Sequence, residues 1–355
     1  MSYSQPPTLT MFDTTKHADI VNPTPLHTEL RRSSVHPYAL GASLYMPATR
    51  TDIWQVINRV KLGNINSVII CLEDSVSETD VEIALTQLQS LLTTWAQHLQ
   101  TLSADGDNSA ATNTTSDAFD RPLVFVRPRH PQMLRQLADF DHIDLLDGFV
   151  LPKVDMTSLS NWRMACQYIS PHSLLMPTLE TGALFNPIHN QEMAVALKEA
   201  FDQAVFALRI GGNDLFAALR LRRPKNTSVY NTPIGTLISQ LLGCFVPYGF
   251  YLTAPVFEYL DQPTLFMQEL MQDVSLGLVG KTVIHPSQIA LVHQAFRVPA
   301  TVYDEAQAIL DIEAKAVFKY NNTMLEPATH RAWAEETSKR AATFGIVTDS
   351  VGKFD

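Results

Sequence analysis

SVIICLEDS, residues 67–75, decides the fold. Its apolar residues run on without a polar–apolar alternation, as in a parallel strand covered on both faces. The charged pair Glu73 and Asp74 arrives only at the C-terminal end. The same grammar recurs in LVFVRPR (123–129), GFVLPKV (148–154), LLMPTLET (174–181), FALRIGGNDL (206–215) and KTVIHPSQ (281–288). Each is a short Val/Ile/Leu/Phe/Ala run with its reactive side chains at the C-terminal end. Enzymes built on a (β/α)8 barrel place their chemistry at that end of successive strands. With SLYMP (43–47) ahead of them and FYLTAPVF (250–257) before the last, eight strands are expected, which closes an α/β TIM barrel.

The remaining organisation follows from what lies between. Residues 1–38 are rich in Pro, Thr, Ser and His with little periodicity and read as an N-terminal arm over the body. The barrel spans 39–299, with helices expected in DIWQVINRVKLGN and VEIALTQLQSLLTTWAQHL. Residues 101–120 nearly lack large apolar side chains and read as a mobile surface insertion. Residues 300–355 read as a C-terminal extension, a helix and a further helix broken around NNTMLEP.

Bulk properties narrow the classes. A net charge of −10 over 355 residues argues against a nucleic-acid surface. No apolar stretch reaches the ~20 residues that span a bilayer, so no membrane role is expected, and the start lacks the build of a signal peptide. The three cysteines, Cys71, Cys166 and Cys244, fall in no CxxC pattern, which points to a reducing, cytoplasmic setting.

The strand ends supply the candidate chemistry. Glu180 and Asp214 close neighbouring strands and are expected to hold one hard divalent cation, Mg²⁺ or Mn²⁺; the plainer alternative is that each caps the following helix. Gly211, Gly212 and Asn213 point to a close backbone approach, and together with Pro255 are candidate substrate contacts. Arg127 either grips a substrate carboxylate or enolate oxygen, or pairs with Glu73 or Asp74. Glu73 and Asp74 are adjacent, so on a strand only one enters the mouth, and Glu73 is favoured. Lys153 reads equally as an electrostatic helper or an inter-strand ion pair. GKT at 280–282 leads into a strand and lacks the earlier glycine of a P-loop, which excludes nucleotide hydrolysis. His285, before Pro286, reads first as a hydrogen-bonded turn residue.

In this order the motifs resemble the HpcH/HpaI aldolase and citrate lyase β-subunit family of (β/α)8 barrels, from about Leu40 to Pro299. GLVGKTVIHPSQI resembles its Gly–Lys…Ile-His-Pro…Gln signature, ICLEDSV its acidic pair, LVFVRPR its arginine, VLPKV its Pro–Lys strand, and TLET and GGNDL its metal carboxylates. The resemblance implies Glu180 and Asp214 as ligands of Mg²⁺ (or Mn²⁺) and Arg127 on the substrate. It also implies a neighbour's C-terminal acid, here Glu326 in NNTMLEPATH, and hence a homo-oligomer, a trimer or a pair of trimers. Relatives that use acyl-CoA thioesters carry Arg-Ser where this chain has Gly41 and Ala42, so Arg32 or Arg50 would have to substitute. The implied activity is metal-dependent C–C cleavage or condensation of a 2-oxo or 3-hydroxy acid through an enolate, with a small carboxylic acid as substrate. Glu73, Glu326 or a metal-bound hydroxide would act as base. The alternatives are other enolate chemistry, such as malyl-thioester hydrolysis, and a catalytically retired barrel that binds a small acid or assembles with partners.

Overall fold

The computed structural model describes residues 35–105 and 121–348. The arm expected over 1–38 and the insertion expected over 101–120 lie mostly outside these residues. Within them, residues 101–105 continue a long helix, and Pro37–Leu40 form one turn of 3-10 helix.

Eight strands make the sheet: β1 (Gly41–Pro47), β2 (Ser67–Cys71), β3 (Leu123–Arg127), β4 (Gly148–Leu151), β5 (Leu174–Leu179), β6 (Leu208–Ile210), β7 (Leu252–Thr253) and β8 (Gly280–Val283). They pair in parallel in the order β7-β6-β5-β4-β3-β2-β1-β8. The seam between β7 and β8 is closed by Ala254 N–H donating to Gly280 O (2.8 Å) and Val279 N–H to Leu252 O (3.0 Å). The product is a TIM barrel, as the buried-run grammar predicts. β7 is shorter than FYLTAPVF implied because Pro255 has no N–H to continue the ladder. Helices alternate with the strands, among them α1 (Ile53–Ile57), α2 (Val81–Asp105), α3 (Pro131–Ala138), α4 (Leu159–Cys166) and α5 (Pro187–Glu199). After β6 come α6 (Gly212–Ala218) and α7 (Pro233–Phe245), and α8 (Pro263–Ser275) and α9 (Ile289–Phe296) flank β8.

Alternation along each strand divides the core in two. Ile69, Phe125, Val150, Met176 and Ala207 fill the barrel interior. Their neighbours Val68, Ile70, Val124, Phe149 and Leu175 point outward and meet the helices. Burying each such side chain contributes ~1.5–3 kcal/mol, so a run without polar interruptions stabilises both layers at once.

GKTVIHPSQ is structural where it looked chemical. Lys281 faces outward from β8, fully buried, and pairs with Glu269 (2.9 Å) and Asp273 (3.0 Å) of α8. Arg223 also pairs with Glu269, and the Tyr230 hydroxyl donates to Asp273. His285 Nδ1 accepts the Ser287 N–H (3.2 Å), while the Gln288 side-chain Oε1 accepts from Ile284 N–H (2.9 Å) and His285 N–H (3.2 Å). That is the turn role expected of His285.

Beyond the barrel, β9 (Val298–Pro299), α10 (Ala300–Leu310), the hairpin β10 (Phe318–Tyr320)–β11 (Thr323–Leu325), α11 (Pro327–Phe344) and β12 (Ile346–Val347) follow. The break read as a plain turn is an antiparallel hairpin. Asn321 and Asn322 turn it with φ of 44° and 64°, a left-handed pair that asparagine tolerates. The tail covers the N-terminal face of the barrel. Phe344 meets Tyr38, just before β1, and Glu336 accepts from the Tyr251 hydroxyl (2.9 Å), just before β7.

Replacing Lys281 with Met leaves two buried carboxylates short of a cation. We predict a loss of ~3–5 kcal/mol in urea unfolding. A loss below ~1 kcal/mol would show that Arg223 and Tyr230 alone hold the acids.

Candidate active site

The residues singled out by sequence converge at the C-terminal ends of β2 to β6. Arg127 is the last residue of β3, and its Nη2 reaches Glu73 (2.8 Å), Glu180 (3.1 Å) and Asp74 (3.4 Å). Lys153 Nζ reaches Glu73 (2.5 Å) and Asp74 (3.7 Å). Asp214, in the first turn of α6, is half-buried and feels Asp74, Lys153 and Arg127. The expectation that only one of Glu73 and Asp74 enters the mouth is corrected. β2 ends at Cys71, so the strict alternation of side chains has stopped before both acids, and both turn toward Arg127. Glu73 is buried, whereas the Asp74 side chain is 55% exposed. Both alternatives for Lys153 start from one contact, because its ion pair to Glu73 also points an ammonium into the mouth.

Backbone geometry aims Glu180. Lys153 adopts a left-handed conformation, φ 51°, unusual for a residue with a side chain. Its N–H thereby donates to Glu180 Oε1 (2.8 Å) while its side chain turns to Glu73. Strain of this sort persists only where the surroundings enforce it. Gly211 has no Cβ because one would overlap Glu180 Oε2 and Cβ; at Gly212 it would stand 2.9 Å from Pro255 Cβ. The close approaches expected of these glycines are thus to Glu180 and to Pro255. Pro255 is buried and Asn213 exposed.

Charge sets the protonation preferences. Burial pushes the Glu180 carboxyl up to about 7; Arg127 opposes this and Asp214 reinforces it. Burial and Asp74 likewise raise Glu73. For Asp74 the upward effect of burial is outweighed by Glu73, Arg127 and Lys153, and it is lowered. Burial, then Asp74, raises Asp214. Lys153 is raised, since its contact with Glu73 outweighs its burial.

Sequence reading passed over two residues one pleat deeper in the interior, Tyr45 on β1 and Arg209 on β6. Arg127 and Arg209 hold their guanidinium carbons 6.0 and 5.0 Å from the Tyr45 ring centre. Both hid inside apolar runs, and an arginine in the middle of ALRIG was the available signal.

Glu326 is not brought to the mouth of its own barrel. It is exposed at the start of α11, bonded locally to Thr329 and His330, in the tail that covers the opposite face. Gly41 also lies at that opposite end, with φ 45° and its Cβ space taken by Asn66. Position 41 therefore cannot reach a ligand at the mouth, and its lack of arginine bears no weight on thioester use. Arg50 pairs with Asp52 (2.7 Å), and Arg32 is outside the described residues. Among the described residues no group of three or more His, Cys, Asp or Glu could hold a metal ion, and no helix is long and apolar enough to cross a membrane.

A closed (β/α)8 barrel with an arginine and several carboxylates gathered at its strand ends has the make-up of a TIM-barrel enzyme. The chain belongs to the family of C–C bond lyases of the TIM-barrel fold, whose model matches residues 34–346, and it is by that membership a carbon–carbon lyase. It is 28% identical over 293 residues to a citrate lyase subunit beta-like protein of Deinococcus radiodurans, covering 79% of this chain and 88% of that one. Its fold is similar to protein CitE from Mycobacterium tuberculosis in complex with magnesium, acetoacetate and coenzyme A. There the TM-score is 0.59 at 19% identity, over 85% of this chain and 98% of that one. It is also similar to RipC from Yersinia pestis, with TM-score 0.52 at 19% identity over 74% and 98% of the two chains. The citrate lyase beta subunit of M. tuberculosis complexed with oxaloacetate and magnesium matches with TM-score 0.50 at 19% identity, over 75% and 99%.

The fit at Gly211 gives a direct check. Gly211→Ala forces Glu180 and the β6–α6 turn apart and should cost ~1–3 kcal/mol in denaturant unfolding, as overpacking does. Stability unchanged within ~0.5 kcal/mol would mean that the backbone there is not pressed against Glu180.

Proposed function

We propose that this chain cleaves or forms a C–C bond in a 2-oxo or 3-hydroxy acid through an enolate, with a divalent cation held by Glu180 and Asp214. The observation that carries this is the charge balance at the mouth. Four carboxylates, Glu73, Asp74, Glu180 and Asp214, face two cations, Arg127 and Lys153, and the most buried of the four is pushed toward holding a proton. Such a site is short of positive charge. Two carboxylates with room left for substrate oxygens and water also form the donor set that Mg²⁺ accepts. The similar structures crystallised with magnesium and with oxaloacetate or acetoacetate support a divalent cation and a small acid on this fold.

A cation bound there would supply Lewis-acid polarisation of a carbonyl. The protein's own residues do the rest. Arg127 and Lys153 place fixed N–H donors where an enolate oxygen gains charge, and a preorganised donor of this sort contributes ~3–4 kcal/mol. The hydroxyl proton passes to the Glu73–Asp74 pair. These adjacent carboxyls, one raised and one lowered, titrate jointly. The C–C bond then breaks, its electron pair becomes the enolate, and the former hydroxyl carbon leaves as a carbonyl. Glu326 enters this scheme only from a second copy, because its own tail lies at the other face. A thioester substrate remains within the reading, since CitE was crystallised with coenzyme A.

Three outcomes test this. Glu180→Gln and Asp214→Asn should each weaken Mg²⁺ binding at least roughly tenfold by calorimetry; unchanged affinity in both removes the cation site. The pH dependence has a definite sign. With its carboxyl raised to about 7, Glu180 holds a proton below that pH, and the proton must leave before a cation binds. Mg²⁺ affinity should therefore rise with pH up to about 7 and level off above it; a flat profile from pH 5 to pH 8 would contradict the assignment. Arg127→Ala should lower kcat by ~10²–10³; a change confined to KM would make the arginine a binding group only.

A further inference from the structure

Arg209 is the exception among the buried cations. Arg127 has Glu73 and Glu180, Arg223 has Glu269, and Lys281 has Glu269 and Asp273. Arg209 is 2% exposed and has no carboxylate within ion-pair distance among the described residues. Its Nη2 donates to the Thr282 hydroxyl, and its Nη1 has no partner. A buried guanidinium left without a counter-ion is costly, and native interiors avoid it.

Its two neighbours share the deficit. Thr178 on β5 and Thr253 on β7 are the register partners of Arg209, so the three side chains stand in one row across the barrel interior. Thr178 is 3% and Thr253 1% exposed, and neither hydroxyl has a partner. Thr178 lies two residues before Glu180, so the row sits one pleat below the proposed cation site. Tyr45, whose ring lies beside both guanidinium groups and whose hydroxyl also bonds Arg209, connects the row to Arg127 at the mouth.

We propose that Arg209, Thr178 and Thr253 form an anion-binding floor that takes the second carboxylate of a dicarboxylic substrate. Water would satisfy the hydroxyls and Nη1 but not the uncompensated charge. A planar carboxylate does both, because it matches the flat guanidinium edge and carries the single negative charge that Arg209 lacks. The floor rests on the proposed function in one respect, that the other end of the same acid is held at Arg127. It makes the enzyme selective for acids with a carboxylate at each end.

The test compares oxaloacetate with pyruvate, which differ by one carboxylate, by calorimetry on the full chain in Mg²⁺ and in EDTA. Oxaloacetate should bind at least roughly tenfold more tightly, the gain that a charge-assisted carboxylate contact supplies. Arg209→Met should erase the gap while leaving pyruvate affinity unchanged, and Thr253→Val should narrow it. Without added acid, Arg209→Met should melt no lower than the wild type, because it removes an unpaired buried charge. A gap that survives Arg209→Met, or a variant that unfolds where Thr253→Val leaves the gap intact, overturns the floor. An Arg209-dependent gap that persists in EDTA supports the floor even if no Mg²⁺ binds, in which case only the cation reading falls. Equal binding of both acids to the wild type in both conditions overturns the floor itself.

Discussion

One nitrogen, Nη2 of Arg127, lies within reach of acids from two other strands and ties the mouth of the barrel together. Glu73 follows β2 and Glu180 follows β5; without a cation between them, two buried carboxylates would repel each other at low effective dielectric. The guanidinium offsets that cost without cancelling it, as the upward pull on Glu180 shows. Lys153 and Asp214 then complete a cluster whose negative charge is still in excess. The surrounding backbone is arranged for it, with a left-handed lysine donating from one side and a glycine making room on the other. On the proposed reading, a site balanced this way takes a further cation, and its arginine holds the oxyanion that such a cation would help to form.

How much of this was legible follows from what each residue type encodes. The barrel was readable because a strand covered on both faces has to be apolar without interruption, and SVIIC, LVFV, GFVL and LLMPTL are. The convergence of Arg127 and Glu180 was readable from their position at strand ends, whereas Asp214 enters from the first turn of α6, beyond the end of β6 at Ile210. The orientation of Glu73 and Asp74 was not, since alternation holds only while the strand lasts and β2 stops at Cys71. The left-handed turn at Lys153 had no sequence signal, because lysine is not a residue that favours it. Arg209 was hidden by its company, a charge inside ALRIG being easily taken for part of an apolar run. The tail hairpin was hidden because Asn321-Asn322 reads as a generic break as well as a tight turn.

Family membership and geometry answer different questions here. GKTVIHPSQ, the stretch most diagnostic of the resemblance, braces β8 to its flanking helix and caps the next turn, so it identifies the scaffold and not the chemistry. Position 41, a departure that seemed to speak about substrate, sits at the wrong end of the barrel to do so. On the proposed reading, the residues that face the mouth carry the reactive character, and those one layer below carry selectivity. Fold similarity at 19% identity shows the barrel and leaves both of these to the chain's own side chains.

The most direct test is the anomalous scattering of Mn²⁺ in crystals of the full chain grown at pH 8, above the proton preference of Glu180. The account predicts one strong peak bridged by carboxylate oxygens of Glu180 and Asp214, with Arg127 still bonded to Glu73. A peak elsewhere, or carboxylates of Glu180 and Asp214 turned apart with no density between them, would contradict it.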